Sequence, residues 1–353
     1  MGLFSDNRPM SLSDAGKELL VPGSYTRIVA RELGLQERSL SRLLRGTDLP
    51  VSILRPGDGT HVTAVQQMRV LENALRIANA PEFGLRLGRR LQPASHGPMG
   101  YLVLSSPDVI SALEAFANFL PLRLPFSRVN ITQENGWLTC TLALKIDPEF
   151  EVKRILQECF ALMLQAVVES VMGRHLTEAK IGLQHPEPDY GPLYGDYFHV
   201  PVTFSRDNST FEIPLTLARE ANIAGHSDSY AVAQDLCLRL LQKMPAAALA
   251  TSDQVRRLLL SSPIGSLTAD DVARAMFVTK RTLQRRLDAE ATSYREITET
   301  LTSELAARHL LDSDMTIEAV ATSLGYCDTA AFRKAFRRWY GQSPTDYRYK
   351  TPG

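Results

Sequence analysis

Two segments near the C-terminus of this 353-residue chain follow one plan, and this internal repeat constrains the fold more than any other feature. The first segment runs from Leu267 to Leu287 and the second from Met315 to Phe336. The apolar spacing of each predicts a short helix, a tight turn and a second helix packed on the first. Two such helix-turn-helix motifs, separated by one long helix, are typical of a protein that contacts two successive major grooves of DNA.

The two copies correspond at their apolar positions. The matched pairs are Val272 with Val320, Ala273 with Ala321, Met276 with Leu324, Leu283 with Phe332, and Leu287 with Phe336. Residues four apart share one helical face, so the last two pairs predict a buried stripe on each second helix. Gly325 suits the left-handed position of the turn in the second copy. The first copy has Phe277 there, which predicts a turn of different construction.

The face opposite each buried stripe carries basic and polar side chains. They are Lys280, Arg281, Gln284, Arg285 and Asp288 in the first motif, and Thr329, Ala330, Arg333, Lys334 and Arg337 in the second. Arg, Lys and Gln side chains can bind guanine or adenine edges in the major groove, and further Arg residues can hold phosphates. Solvated charges on an amphipathic helix would explain one such motif equally well. The tandem arrangement favours DNA binding.

Local patterns mark the helix boundaries of this region. Thr268 with Asp271 matches a capping box, and Pro344 suits the first position of a last short helix. The connecting helix is predicted from Tyr294 to about Leu311. Its length of about 27 Å, at about 1.5 Å per residue, approaches the rise of about 34 Å in one DNA turn.

Composition restricts the class of protein. The formal net charge is zero, but residues 251–353 carry 15 Lys and Arg against 13 Asp and Glu, and the remainder 24 against 26. Neither part is a polycation, so positive charge is focused on the recognition helices. The four cysteines show no metal-ligand spacing. No apolar run approaches transmembrane length and no signal peptide is evident, so we expect a cytoplasmic protein with no membrane partner, metal or cofactor.

The remaining residues predict an α+β domain ahead of the all-α DNA-binding domain with its two motifs. The predicted divisions are a loose arm over 1–22, an effector-binding and dimerisation domain over 23–228, a linker over 229–250, and the DNA-binding domain over 251–353. Asn135-Gly136 predicts a two-residue hairpin turn. Val29–Leu44 imitates a third helix-turn-helix motif, which we interpret as a helical pair packed on its own domain. Glu149–Met172 predicts a long helix, either in the core or at a dimer interface.

Residues from about 251 to 350 resemble the DNA-binding domain of the AraC/XylS family of bacterial transcription regulators. The resemblance rests on Leu324-Gly325-Tyr326, on the run Ala331 to Trp339, and on Gly341 to Arg348, with Cys327 as a mild departure. It implies base contacts by the polar face of each second helix. The N-terminal part resembles the arabinose-binding/dimerisation-type domain of the ornithine-utilisation-regulator-like branch. That resemblance rests on Phe83–Gly88, Gly97–Tyr101, Ser111–Leu113 and Phe198–Phe204.

The resemblance implies a transcription regulator, with double-stranded DNA, RNA polymerase and a second copy of the chain as partners. The sequence leaves open whether the regulator activates or represses transcription. A small-molecule effector is expected in the N-terminal domain. Candidate effector-binding residues are Arg123 and Arg128, which could pair with a carboxylate, and Tyr101, Trp137 and His96 as aromatic rings with polar tips. Two alternatives stay open: a dimeric regulator without a ligand, and an enzyme fused to a DNA-binding module. A dry, apolar cavity with convergent polar groups would favour an effector.

Overall fold

The chain divides into an N-terminal unit, Met1–Leu240, and a C-terminal unit, Leu241–Gly353. The structure is a computed structural model, and it describes residues 19–35, 37–55, 57–244, 251–260, 262, 265–290, 292–312 and 315–349. Residues 1–18 of the expected arm and 245–250 of the expected linker therefore lie outside the described residues.

The N-terminal unit is a mixed α/β domain, which confirms the predicted α+β class. Its helices are α1 (Ser24–Glu32), α2 (Glu37–Leu43), α3 (Ala64–Ala78), α4 (Phe83–Arg90), α5 (Pro98–Leu104), α6 (Val109–Phe119), α7 (Phe150–Met172), α8 (Leu215–Ala218) and most of α9 (Ser227–Lys243), whose last three residues fall in the C-terminal unit. Its strands are β1 (Leu20–Pro22), β2 (His61–Thr63), β3 (Ser127–Glu134), β4 (Trp137–Leu144), β5 (Lys180–Gly182), β6 (Val202–Thr203) and β7 (Thr210–Pro214). Strand β1 occupies the end of the segment expected to be a loose arm, and α9 occupies most of the expected linker.

Five strands form the main sheet in the order β3-β4-β7-β5-β6. Among the described strands, only β5 and β6 pair in parallel, and β1 pairs with β2 in a separate two-stranded sheet. Strands β3 and β4 form the predicted hairpin, with Glu134 opposite Trp137. Asn135 and Gly136 have φ values of 50° and 82°. Both values lie in the left-handed region that a type I′ turn requires, so the hairpin follows from these two residues.

Helix α7 is the core helix of the N-terminal unit. Phe160, Met163 and Val167 are buried, which favours the core interpretation over a dimer interface on this face. Helix α7 has 23 residues and contains an 18-residue window with a mean hydropathy of 1.5, so it reaches the length and composition of a membrane span. The expectation that no apolar run has this length is therefore wrong. Of the residues in this most apolar window, 78% are buried inside the protein. A helix that is packed on all sides in a protein core has this property.

Helices α1 and α2 are the pair that imitates a third helix-turn-helix motif. Helix α1 buries Tyr25, Val29 and Ala30 inside its own unit. The hydroxyl of Thr26 donates a hydrogen bond of 2.8 Å to Gln67 of α3. These contacts anchor α1 in the N-terminal unit, as predicted.

The C-terminal unit is helical. Its helices are α10 (Thr251–Leu260), α11 (Ala269–Ala275), α12 (Lys280–Ala289), α13 (Tyr294–Asp312), α14 (Ile317–Ser323), α15 (Thr329–Tyr340) and α16 (Pro344–Tyr349). The predicted capping box is present, because Thr268 accepts from the backbone N–H of Asp271 and the carboxylate of Asp271 accepts in return. Helices α11 and α12 form the first motif and α14 and α15 form the second, as the repeat predicts.

Two hydrophobic cores lie along the connecting helix α13. The first core contains Val272, Leu283 and Leu287 of the first motif, and the second contains Phe332 and Phe336 of the second. Leu305 of α13 packs against both cores. With 19 residues, α13 is about 28 Å long, so it separates the motifs by nearly one turn of DNA.

Candidate nucleic-acid interface and effector cavity

Helix α12 presents one buried and one exposed face. Leu283 and Leu287 are buried at 1% and 0% exposure, whereas Arg281 and Arg285 are exposed. Neither arginine makes a hydrogen bond or ion pair within the described part of the chain. Thr279 is the N-cap residue of the helix, and its hydroxyl accepts a hydrogen bond from the N–H of Thr282. The two guanidinium groups are thus held by a fixed helix and left free for an external acceptor.

Two other polar residues of α12 are engaged. The Nζ of Lys280 lies 2.7 Å from a carboxylate oxygen of Asp270 in α11. The side-chain amide of Gln284 donates to Asp288 over 2.8 Å. Both pairs are exposed, and exposed pairs of this kind contribute only about 0–1 kcal/mol. A phosphate or a base edge can therefore displace them at low cost.

Helix α15 repeats the arrangement on larger apolar residues. Phe332 and Phe336 are both fully buried, and their ring centroids lie 5.8 Å apart. Exposed cations without a partner among the described residues are Arg333, Lys334 and Arg337. Ala330 is also exposed and Thr329 half-buried. Arg338 differs because it forms an ion pair with Glu299 of α13, so it is not free in the same way.

The turns of the two motifs have the same construction, so the prediction of a different first turn is wrong. Phe277 has a φ of 56° and Gly325 a φ of 78°. Two backbone hydrogen bonds close each turn. In the first motif the N–H of Phe277 donates to the carbonyl of Arg274, and the N–H of Val278 donates to that of Ala273. In the second motif the N–H of Gly325 donates to the carbonyl of Thr322, and the N–H of Tyr326 donates to that of Ala321. Met276 and Val278 pack on the first core on either side of Phe277, and this packing holds the left-handed backbone. The Phe277 side chain is 97% exposed.

An apolar cavity of about 60 Å³ lies inside the N-terminal unit. Its wall comes from α1, α3, α4, β4 and α7, with Val29, Met68, Leu87, Leu142 and Phe160 as examples. The polar residues in the wall are Tyr25, Gln67 and Ser127. An apolar space with a few convergent polar groups is the arrangement expected of a small-molecule site.

A polar cluster surrounds Tyr25 of the cavity wall. The Tyr25 hydroxyl lies 2.6 Å from Nδ1 of His96. The guanidinium carbon of Arg123 lies 5.3 Å from the centroid of the Tyr25 ring, and Arg123 also donates to Ser24 over 3.1 Å. Burial lowers the pKa of His96 to about 4 and raises the pKa of Tyr25. Both are neutral at pH 7, so Arg123 supplies positive charge beside the cavity.

None of the predicted effector residues lines the cavity itself, although Arg123 and His96 contact Tyr25 of its wall. Tyr101 is 52% exposed in α5, and Arg128 is half-buried in β3. The Trp137 ring centroid lies 3.6 Å from Nζ of Lys180, at the turn end of the β3–β4 hairpin. The polar wall residues Tyr25 and Gln67 were missed from the sequence, where no local motif distinguishes them.

A second buried polar cluster centres on Glu158 of α7. Its carboxylate accepts hydrogen bonds of 2.6 Å from the hydroxyls of Tyr190 and Tyr194. The guanidinium carbon of Arg154 lies 5.3 Å from the centroid of the Tyr190 ring. Burial raises the pKa of Glu158 to about 7. A Cβ at Gly84 would lie 1.9 Å from Oε2 of Glu158, which explains why α4 has a glycine at this close approach.

The cysteines bear on the alternative of a fused enzyme. Burial raises the pKa of Cys140 to about 12 and that of Cys159 well above its usual value. A nucleophilic cysteine requires a lowered pKa, so neither thiol is suited to that role.

Comparison with known proteins bears on both units. Residues 38–222 match the model of the arabinose-binding domain of AraC transcription regulators, N-terminal, and residues 272–350 match a helix-turn-helix domain. The ornithine utilization regulator of Pseudomonas aeruginosa is 27% identical over 78% of this chain and 81% of its own length. The transcriptional regulator VirS of Mycobacterium tuberculosis is 26% identical over 92% of this chain and 94% of its own.

Among solved structures, the transcriptional regulator CdpR of Pseudomonas aeruginosa is 25% identical. That match covers 88% of this chain and 96% of CdpR, with a TM-score of 0.43. The arabinose-binding model alone covers more than half of the chain, and the second match coincides with the two motifs described above. The chain therefore belongs to the AraC family of transcription regulators and is a DNA-binding regulator.

Proposed function

We propose that α12 and α15 read bases in two successive major grooves, and that a small, partly apolar carboxylate bound at the N-terminal cavity controls this binding. One observation carries the first part. Two copies of one scaffold each present exposed cations that have no partner among the described residues. Unneutralised charge on a rigid helix is what binding to a polyanion requires.

The residues proposed to read DNA in the first groove are Lys280, Arg281, Gln284 and Arg285. Those proposed in the second groove are Thr329, Ala330, Arg333, Lys334 and Arg337. Arg281 and Arg285 lie opposite the buried Leu283 and Leu287, so they point most directly into a groove that α12 enters. Lys280 and Gln284 would exchange their intramolecular carboxylate partners for phosphate or base atoms.

Arg285→Ala tests base recognition in the first groove. Loss of the Arg285 side chain is expected to weaken binding to the specific site by about 1–3 kcal/mol and binding to random DNA by much less, because base contacts carry the sequence preference. The matched control is Arg286→Ala, which removes the same charge about 100° round the same helix. The control is expected to weaken binding equally on both DNAs. Equal losses on both DNAs for Arg285→Ala would make it a phosphate contact and refute its reading role.

Footprinting tests the second groove. Two protected patches on one DNA face, about one helical turn apart, are expected for each bound chain. Lys334→Ala is expected to weaken one patch and leave the other in place. A single patch that Lys334→Ala does not change would restrict α15 to a structural role.

The effector proposal rests on the cavity and on Arg123. The guanidinium stacks on Tyr25, a wall residue, and its buried Nε has no hydrogen-bond partner in the described part of the chain. A carboxylate could accept a hydrogen bond from this Nε–H and neutralise the charge of the guanidinium at the same time. The cavity of about 60 Å³ accepts a small group, and flexible wall residues such as Met68 can move around a longer one.

Thermal-shift screening with small aliphatic and aromatic carboxylates tests this proposal. A true ligand raises the melting temperature by mass action. Arg123→Ala is expected to abolish the shift, because Arg123 contacts Tyr25 of the cavity wall. Arg128→Ala removes the same charge from β3 and serves as the charge-matched control. An unchanged shift with Arg123→Ala would refute the site. If no carboxylate binds while the chain is still dimeric, the ligand-independent regulator replaces this proposal.

We further propose that the regulator acts in the cytoplasm as a homodimer and activates transcription through contact with RNA polymerase. Family membership supports these assignments. Light scattering of the free protein tests the dimer, and transcription in vitro with purified RNA polymerase tests activation.

A further inference from the structure

A cluster of one carboxylate and two imidazoles lies in the N-terminal unit, and none of its three residues belongs to the wall of the apolar cavity. Glu169 is in the last turn of α7, His175 follows the end of that helix, and His199 precedes β6. One ligand atom from each lies within 4.8 Å of the others. Oε2 of Glu169 is 3.6 Å from Nδ1 of His175, and Oε1 of Glu169 is hydrogen-bonded to Nδ1 of His199. The imidazole centroids are 3.9 Å apart.

The backbone around these side chains is held in place by α7. The N–H of Leu176 donates to the Glu169 carboxylate over 2.9 Å. The amide of Gln165 accepts from the N–H of His199 over 3.1 Å and donates to the carbonyl of Tyr197 over 3.0 Å. Both histidine segments are therefore fastened to one helix, and little backbone ordering would remain for a ligand to impose.

We propose that Glu169, His175 and His199 form a binding site for a divalent transition metal ion, with Zn²⁺ as the ion that suits them. Neutral imidazole nitrogens and one carboxylate are common Zn²⁺ ligands. Mg²⁺ and Ca²⁺ prefer sites made of oxygen ligands, and two of the three ligands here are nitrogens. Three protein ligands leave a fourth position open to water or to an exogenous group.

The geometry requires only small movements. Zn²⁺ bonds of about 2.0–2.1 Å place tetrahedral ligand atoms about 3.4 Å apart. Closing a separation of 4.8 Å to that distance takes about 1.4 Å, shared among three side chains. His175 has 76% of its side chain exposed and His199 has 35%, so both rings can turn towards an ion. Glu169, at 17%, is the fixed ligand.

The local charge is compatible with a cation. Arg174 is adjacent in sequence to His175, but it is engaged by Glu178 at 2.9 Å and Glu220 at 3.4 Å. The Glu169 carboxylate offsets half of the charge of a divalent ion. A bound ion would tie the C-terminal end of α7 to the segment before β6, and this cross-link would stabilise the N-terminal unit.

Calorimetric titration of the full-length protein with Zn²⁺ tests the proposal. The background carries Cys327→Ser, because Cys327 is exposed and a free thiol is a competing Zn²⁺ ligand. One Zn²⁺ per chain is expected, with a higher melting temperature. His175→Ala and His199→Ala are each expected to weaken binding by at least roughly tenfold. His226→Ala removes an exposed histidine outside the cluster and is the matched control.

A second measurement uses Co²⁺, whose visible absorption reports its ligands. The control is expected to show the same spectrum as the parent protein, and the double variant His175→Ala/His199→Ala is expected to lose it. Circular dichroism of the variants establishes that they are folded. Absence of Zn²⁺ binding, or equal affinity in the double variant and the control, would overturn the proposal.

Discussion

Phe277→Gly is expected to stabilise the first helix-turn-helix motif, although it removes a large side chain. Phe277 holds a left-handed backbone with φ of 56°, which costs about 1–2 kcal/mol for a residue with a side chain. Its ring is 97% exposed, so little burial is lost with it. Glycine has more conformational freedom than phenylalanine in the unfolded chain, and this entropy offsets about 0.5–1 kcal/mol of the stability gained by relieving the strain. The net expectation is a stabilisation of about 0.5–1 kcal/mol.

The second motif supplies a matched control. Gly325 occupies the same position with φ of 78° and the same two closing hydrogen bonds. Gly325→Ala is expected to destabilise its motif by about 1 kcal/mol or more, because a Cβ is disfavoured there. Phe277→Asn removes the ring but places in the turn a residue that tolerates left-handed backbone. The stability of the first motif in Phe277→Asn is expected to lie between those of the wild type and Phe277→Gly. This comparison distinguishes the effect of backbone strain from the effect of removing the ring.

Amide hydrogen exchange resolves the two motifs within one protein. A gain of about 0.5–1 kcal/mol slows exchange through local opening by roughly 2- to 5-fold. This slowing is expected in α11 and α12 of Phe277→Gly, with faster exchange in α14 and α15 of Gly325→Ala. If α11 and α12 of Phe277→Gly exchange as fast as in the wild type while the control behaves as expected, the strain argument is refuted.

Three further perturbations address other parts of the fold. Burial raises the pKa of Glu158 from 4.5 to about 7, so the folded state keeps a proton that the unfolded state releases, and stability falls as pH rises through that window. Glu158→Gln is expected to remove about 3 kcal/mol of the change in the free energy of unfolding between pH 4.5 and 7, as measured by urea unfolding. Parallel curves of unfolding free energy against pH for the two proteins would contradict this expectation. Leu305→Ala, at the contact of both C-terminal cores, is expected to cost about 2–4 kcal/mol and to separate the melting of the two motifs in calorimetry. Glu290→Ala removes the carboxylate that accepts from the N–H groups of Thr251 and Ser252, and faster hydrogen exchange confined to the first turn of α10 is expected.

Local chemistry explains which features could be predicted from the sequence. The Asn135-Gly136 turn and the Thr268–Asp271 capping box each depend on residues at most three positions apart. The buried stripe and the exposed face of α12 follow from helical periodicity alone. The motif repeat needs no tertiary information either, because both copies carry the same apolar spacing within each helix.

The apolar cavity of the N-terminal unit could not be predicted in the same way. Its wall joins Tyr25 of α1 to Leu142 of β4 and Met163 of α7. Arg123 and Ser24, which are hydrogen-bonded beside it, lie 99 positions apart in the chain. Sequence reasoning chose polar and aromatic residues by type, and of these only Arg123 and His96 adjoin Tyr25 of the wall.

The sequence by itself determined the two-motif architecture of the C-terminal unit, the faces of its recognition helices and the α+β class of the N-terminal unit. These depend on hydrogen bonds and periodicities that span a few residues. Only the tertiary structure decided that α7 lies in the core, that Phe277 adopts the conformation of Gly325, and that Glu158 is buried with a raised pKa. Each of these depends on packing between distant segments, because burial and the neighbours it brings set both backbone strain and protonation.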